Sequence, residues 1–302
     1  MSTPEGHRSG FVSFVGRPNT GKSTLTNALV GEKIAITSSR PQTTRHAIRG
    51  IVHRPDAQII LVDTPGLHRP RTLLGERLNA LVEDTYSDVD LIGICIPAGE
   101  RIGPGDRWIL EQVRKLCPNT PLLGLVTKID TVSKQKVMEQ LMAVSKFLGP
   151  DSEVVPVSAA SGEQVDVVAD VIATLLPEGP QFYPEDVITE ESDESRMSEL
   201  IREAALEGVR DELPHSIAVS IEEVLPHEGR DDMVDVHAVV YVERQSQKSI
   251  VLGKGGSRMK EVGTQARAGI EELLGTKVYL DLHVKVLKEW QRDPKMLGRL
   301  GF

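Results

Sequence analysis

The run Gly16-Arg17-Pro18-Asn19-Thr20-Gly21-Lys22-Ser23 stands between an apolar, strand-like stretch (Phe11–Val15) and a helix-like one (Lys22–Val30). Strand, glycine loop and helix in that order constrain the start of the chain to a sheet with a phosphate-binding loop at a strand end. Glycines let backbone N–H groups converge on a phosphate, and the N-terminus of the following helix adds positive potential. Lys22 can reach β- and γ-phosphate oxygens, and the Ser23 hydroxyl is offered to Mg²⁺. Gly16, Asn19, Thr20, Gly21, Lys22, Ser23 and Thr24 are the residues expected around the phosphates. A plain glycine turn with an exposed lysine is the alternative, and the flanking strand and helix speak against it.

Through the first 176 residues, β-branched apolar runs alternate with helical spacing, which predicts an α/β fold with a mostly parallel six-stranded sheet. The strands are expected at 11–15, 48–52, 58–62, 91–96, 122–126 and 154–157, and the helices at 22–30, 73–87, 105–116, 133–147 and 165–175. Pro180, Pro184 and a cluster of acids without apolar period mark residues 181–194 as a linker between domains at 1–180 and 195–302. Beyond it the pattern becomes α-β-β-α-α-β, an α+β domain: helix 196–213, strands 216–224 and 234–242, helices 247–252 and 257–274, strand 277–286. Ser257 is expected to cap the longer helix.

Composition narrows the partners. Of 302 residues 39% are hydrophobic, no run of about 18 apolar residues occurs, and MSTPEGHRSG lacks the features of a signal peptide, so a cytoplasmic protein is expected. Cys95 and Cys117 have no spacing for a metal or a disulfide framework, and the eight histidines are scattered, which disfavours zinc. The net charge of −9 is uneven: residues 181–243 hold 4 basic against 18 acidic side chains, and residues 244–302 hold 12 against 6. A basic end on an acidic chain is the footprint of a local anion-binding face.

Further nucleotide signals follow later strands, where open α/β sheets place ligands. Asp63-Thr64-Pro65-Gly66 offers a carboxylate to Mg²⁺ and the Gly66 N–H to the γ-phosphate. Thr127-Lys128-Ile129-Asp130 ends in a carboxylate that can accept N–H groups from both N1 and the exocyclic amine of guanine, a donor pair adenine lacks. The expected nucleotide is therefore GTP, with GDP as product. Ser158-Ala159 follows the sixth strand. Residues 38–45 form a first switch, in which Thr44, favoured over Thr43, would complete the Mg²⁺ shell, and residues 67–72 form a second. Hydrolysis would rest on Lys22, Thr44, Asp63 and Gly66. Leu67 stands where many GTPases have a water-orienting glutamine, so unaided hydrolysis should be slow. Either a cation such as K⁺ near Asn19 makes up the loss, or Asn19 only ties the loop together.

In the basic segment, Gly253-Lys254-Gly255-Gly256 lies between two helices, with Arg258 just beyond. Glycines there permit close approach to a phosphodiester, as in KH domains, which clamp about four nucleotides. Only 11 residues are Phe, Trp or Tyr, which disfavours a stacking platform and favours an aliphatic groove from Ile250, Val251, Leu252, Met259 and Val262. A tRNA- or nucleotide-modifying enzyme that uses GTP to order a second active site would need a cluster of reactive groups beyond the nucleotide pocket, and none is evident in residues 181–302. A nucleotide domain gone inactive would have lost Lys22, Ser23 or Asp63, and all three are present.

On the strings GRPNTGKST, SSRPQTTRH, DTPG, DELPHSIAVSIEE, VLGKGG and the ending from Trp290 to Leu300-Gly301-Phe302, the chain resembles the Era family of bacterial GTPases, which carry a C-terminal type II KH domain. That resemblance implies GTP-dependent binding to the 3′ end of the 16S ribosomal RNA and to the immature 30S subunit, in support of its assembly. It also implies a monomer with peripheral contact at the inner face of the cytoplasmic membrane. It carries phosphate roles to Asn19, Gly21, Lys22 and Ser23, switch and Mg²⁺ roles to Thr43, Thr44, Asp63 and Gly66, base reading to Lys128 and Asp130, and RNA clamping to Gly253, Lys254, Gly255 and Gly256. Two departures stand out. Thr127 replaces the usual asparagine and offers one hydroxyl where an amide offers donor and acceptor, and Thr20 stands where valine is common.

Overall fold

The computed structural model describes residues 6–37, 44–66, 72–207, 209 and 216–302. Thr43, Leu67 and most of both expected switch segments lie outside them. The chain divides into two compact units: residues 1–35, 44–69 and 78–190, and residues 36–43, 70–77 and 191–302.

The first unit is built on strands β1 (Arg8–Val15), β2 (Ile48–His53), β3 (Ala57–Asp63), β4 (Leu91–Pro97), β5 (Leu122–Thr127) and β6 (Glu153–Pro156), in the order β2-β3-β1-β4-β5-β6. β2 runs antiparallel to β3, and the other pairings are parallel. A parallel strand buried on both faces must be apolar throughout, and every residue of β3 and β4 is buried. One face packs under α1 (Lys22–Val30) and α5 (Val165–Leu175), through Leu25, Leu29, Val168 and Ile172. The other packs under α2 (Leu73–Ser87), α3 (Pro104–Leu116) and α4 (Lys134–Leu148), through Val82, Ile109, Val113 and Val144. Since β1 lies between β3 and β4, the loops after β1 and β3 leave the same strand ends side by side, where such sheets bind ligands.

The stretch expected as an acidic linker is not an open tether through residue 190. Residues 181–190 belong to the first unit, where Ile188 O accepts the Ile51 N–H at 2.9 Å along the outer edge of β2. Gln58, fully buried, locks this strap: its Oε1 accepts from the N–H groups of Phe182 (2.7 Å) and Tyr183 (3.0 Å), and its Nε2 donates to Tyr183 O at 2.8 Å. The strap satisfies polar groups on an edge strand that would otherwise invite other chains.

In the second unit α6 (Asp193–Leu206) starts at a Ser192 cap and ends earlier than its sequence suggests. Strands β7 (Ala218–Pro226), β8 (Met233–Val242) and β9 (Lys277–Val286) form a sheet in that order, β7 antiparallel and β9 parallel to β8. Helices α7 (Gln245–Leu252) and α8 (Ser257–Leu274) complete the α-β-β-α-α-β order. Ile201, Val240, Val251, Val262, Ile270 and Val278 meet in its core, and Ile36 joins them. Ser257 does not cap α8: it is the first helical residue, and Gly256 is the N-cap in a left-handed conformation, φ 78°. A final helix, α9 (Pro294–Arg299), escaped the sequence reading. It anchors on Trp290, fully buried, whose indole N–H donates to Ser216 O at 3.1 Å and whose ring stacks on Phe302. Among the described residues no helix is long and apolar enough to cross a membrane.

Candidate functional site

The loop from Gly16 to Gly21 joins β1 to α1. Gly16 is required by space: a Cβ there would lie 2.6 Å from Cys95 O and 2.7 Å from Thr20 Oγ1. Asn19 (φ 64°) and Gly21 (φ 94°) both turn through the left-handed region, which curls the chain ahead of the helix. Two side chains brace the curl from within. Thr20 Oγ1 donates to Arg17 O at 3.0 Å, and Lys22 Nζ donates to Gly16 O and Arg17 O at 3.1 and 3.0 Å. Burial pushes the Lys22 pKa below the usual lysine value, an effect opposed by the Asp63 carboxylate among others. Thr24 is exposed on the first turn of α1.

Ser23, Thr44 and Asp63 come together. Ser23 Oγ donates to Asp63 Oδ2 at 2.8 Å, Thr44 Oγ1 donates to the same oxygen at 3.0 Å, and the two hydroxyls are 3.3 Å apart. Asp63 is 1% exposed, and its Oδ1 is buried without a hydrogen-bond partner. Burial pushes its pKa up, against the hydrogen bonds from both hydroxyls and the pull of Lys22. An unpaired buried carboxylate oxygen beside two hydroxyls is a hard, all-oxygen donor set, the kind that suits Mg²⁺. Among the described residues no group of three or more His, Cys, Asp or Glu is gathered as a metal site. Thr64 and Pro65 are buried beyond Asp63. Pro65 and Gly66 line a small pocket with Gly16, Lys22, Phe14, Val15, Tyr86 and Ile109, so the space beside the lysine is walled by apolar side chains.

The expected base-reading residues lie around the loops after β5 and β6. Asp130 is exposed, and its Oδ1 accepts from Ser158 Oγ at 2.6 Å. Ser158 is fully buried and Ala159 half-buried. Thr127 spends its hydroxyl inward, donating to Thr20 O at 2.7 Å, while Lys128 Nζ donates to Asn19 O at 2.5 Å. Both residues tie the base loop to the phosphate loop. Sequence reasoning missed Asn27 of α1, whose amide holds the backbone of Ile34 and Ala35, shortly before the expected first switch. An asparagine in the middle of a helix, where its side chain competes for backbone groups, was the available signal.

In the second unit Gly253, Lys254, Gly255 and Gly256 form the turn between α7 and α8, with Lys254 exposed. A Cβ on Gly253 (φ 72°) would meet Arg258 N at 2.9 Å, so the turn sits hard against the start of α8. Arg258, expected at the RNA-binding face, also makes contacts within its own unit. Its Nη2 donates to the carbonyls of Ala205 and Glu207, holding the end of α6. The expected groove residues divide too: Val251, Met259 and Val262 are core, Leu252 packs against it, and Ile250 is 53% exposed.

A family model described as 50S ribosome-binding GTPase matches residues 11–128, and a KH domain model matches residues 212–291. GTPase Era of Mycobacterium sp. (strain JLS) is 72% identical over 295 residues, covering 98% of this chain and 99% of that protein. GTPase Era of Corynebacterium diphtheriae is 67% identical over 300 residues, covering 99% and 98%. Among solved structures, an Aquifex aeolicus Era variant bound to GDP and aluminium fluoride matches with TM-score 0.90 and 36% identity over 97% of this chain and 99% of that one. Era in complex with MgGDPNP and nucleotides 1506–1542 of 16S ribosomal RNA matches with TM-score 0.90 and 36% identity over 98% and 99%.

Proposed function

The chain belongs to the Era family of GTPases, and on that footing we propose that it is a GTP-driven switch. Its KH unit binds 16S ribosomal RNA near the 3′ end and supports assembly of the small ribosomal subunit. The carrying observation is the near full-length likeness to an Era structure holding both MgGDPNP and that RNA. The convergence of Ser23, Thr44 and Asp63 below the phosphate loop adds support from the chain itself.

In this reading the N-terminus of α1 and Lys22 hold the β- and γ-phosphates, and Gly66 N–H meets the γ-phosphate. Ser23, Asp63 and Thr44 would hold Mg²⁺, which supplies neutralisation of phosphate charge. Asp130 reads guanine from an orientation set by Ser158. With Leu67 after Gly66, no side-chain amide orients the water, and we assign that task to the switch backbone with K⁺ near Asn19. Equal turnover in potassium and in sodium would remove the cation. Lys254 and the backbone of the 253–256 turn clamp RNA. A cytoplasmic monomer that meets the 30S subunit, with peripheral contact at the inner membrane face, belongs to the same reading.

The deciding experiment measures affinity for a 16S 3′ fragment with GTP analogue and with GDP bound. Tighter binding with the analogue is expected, and identical affinities would refute a switch.

A further inference from the structure

Arg17, the residue after Gly16, puts a cation within the phosphate loop. Its side chain is committed elsewhere. Nε donates to Asp106 Oδ1 and Nη2 to Glu100 Oε2, both at 2.8 Å. The Asp106 side chain is 2% exposed, and its other oxygen accepts the Gly103 N–H at 2.8 Å, so it also caps the start of α3. The Glu100 loop is fixed from behind by Gln140 of α4, whose amide donates to Pro97 O and Glu100 O at 3.1 and 2.8 Å. Arg17 therefore ties the phosphate loop to a rigid part of the unit.

The backbone of the same residue faces the other way. Arg17 O accepts both Lys22 Nζ and Thr20 Oγ1 at 3.0 Å. Asn19 holds a positive φ that a non-glycine residue rarely adopts unless its surroundings impose it, so the shape of the loop depends on what braces it. Helix α3 also lends Ile109 to the pocket beside Lys22. The seating of the loop on α3 thus sets the lysine and one wall next to it.

We propose that Arg17 is a positioning residue for GTP hydrolysis: its ion pair with Asp106 seats the phosphate loop on α3, and its carbonyl fixes where Lys22 delivers its charge. This rests on the GTPase reading of the site. Displacement of a reacting or binding group by about 1 Å costs on the order of a hundredfold in rate. Without Arg17, Asp106 would keep only the Gly103 N–H and the helix start as partners for a buried charge, which favours the pair.

The test is steady-state GTP hydrolysis by the full chain and by Arg17→Met, Arg17→Lys, Asp106→Asn and the Arg17→Met/Asp106→Asn double variant. Rates are expressed per molecule able to bind GDP. Arg17→Met should lower kcat/KM about tenfold or more, with KM raised as well as kcat reduced. Arg17→Lys should recover part of the loss, and the double variant should be no worse than Arg17→Met alone. A purely structural arginine would reduce the number of active molecules and leave their KM unchanged. An unchanged KM for Arg17→Met, or losses that multiply in the double variant, would overturn the proposal. Should Arg17→Met not fold, Glu100→Gln removes only the half-exposed arm of the brace. It should raise KM about twofold without a change in melting, and an unmoved KM counts against the proposal. Failure of the GTPase reading would appear differently, as a parent chain that does not hydrolyse GTP.

Discussion

Ser158 donates its hydroxyl to Asp130 Oδ1 at 2.6 Å, a buried serine orienting an exposed aspartate from the neighbouring strand end. The carboxylate keeps lone pairs for two further N–H groups, the number guanine presents. Asp130→Asn should move nucleotide preference from guanine toward xanthine, with GTP affinity falling by a factor on the order of 10⁴. Ser158→Ala should weaken GTP about fivefold and leave the preference intact, the scale of one hydrogen bond. Competition titrations with GTP and XTP decide it, and unchanged GTP affinity in Asp130→Asn removes the base-reading role.

Gly16 has no room for a methyl group, since the contacts at 2.6 and 2.7 Å include the Cys95 carbonyl, which cannot step aside as a side-chain tip could. Gly16→Ala is expected to cost about 1–3 kcal/mol and to abolish tight nucleotide binding. Urea unfolding together with GDP titration checks both, and full GDP affinity would show that the loop tolerates displacement.

Arg258 and Lys254, both basic and close in sequence, should separate cleanly. Arg258→Met removes the donor to Ala205 O and Glu207 O and should destabilise the chain by about 1–2 kcal/mol. Lys254→Ala, at an exposed turn, should leave stability within about 0.5 kcal/mol, weaken RNA and reduce the salt slope of binding by about one. Melting curves and RNA titrations over a salt series test the pair. Loss of RNA affinity without loss of stability in Arg258→Met would return that residue to the RNA face.

Glu190 fastens the strap. It accepts from Tyr183 OH at 2.5 Å and pairs with Arg49 at 2.8 Å, and these hold its carboxyl below the usual range, Tyr183 most strongly. A folded-state pKa below the unfolded one contributes stability above the unfolded value and loses it as pH falls through the folded one. Since the side chain is 41% exposed, the contribution is about 0–1 kcal/mol. Wild type should exceed Glu190→Gln by that margin at pH 7, and the gap should close below about pH 4. Urea midpoints at pH 7 and pH 3.5 read it, and an undiminished gap at acid pH would assign the stability elsewhere.

Most elements were legible because their signals are local. Helices 22–30, 73–87, 165–175 and 257–274 and strand 277–286 run between the residues the apolar spacing indicates. The phosphate loop was legible for the same reason, since its glycines, lysine and serine act within eight consecutive residues. Helix α6 ends at Leu206 although apolar residues continue at helical spacing to Leu213, and its end is held by Arg258, which donates to the carbonyls of Ala205 and Glu207. The short α9 has no period to read and depends on Trp290 finding a buried place.

By itself the amino-acid order determined the two fold classes and set a strand-loop-helix of the phosphate-binding type near its start, because periodicity and short motifs record local geometry. Only tertiary structure decided that Ser23, Thr44 and Asp63 share one oxygen, that Arg17 braces a helix instead of facing solvent, that Arg258 serves a helix end and that residues 181–190 lie along β2. Each of these is made by single side chains or backbone groups meeting across long sequence separations. Such contacts follow no repeat, so nothing in the spacing of residues announces them.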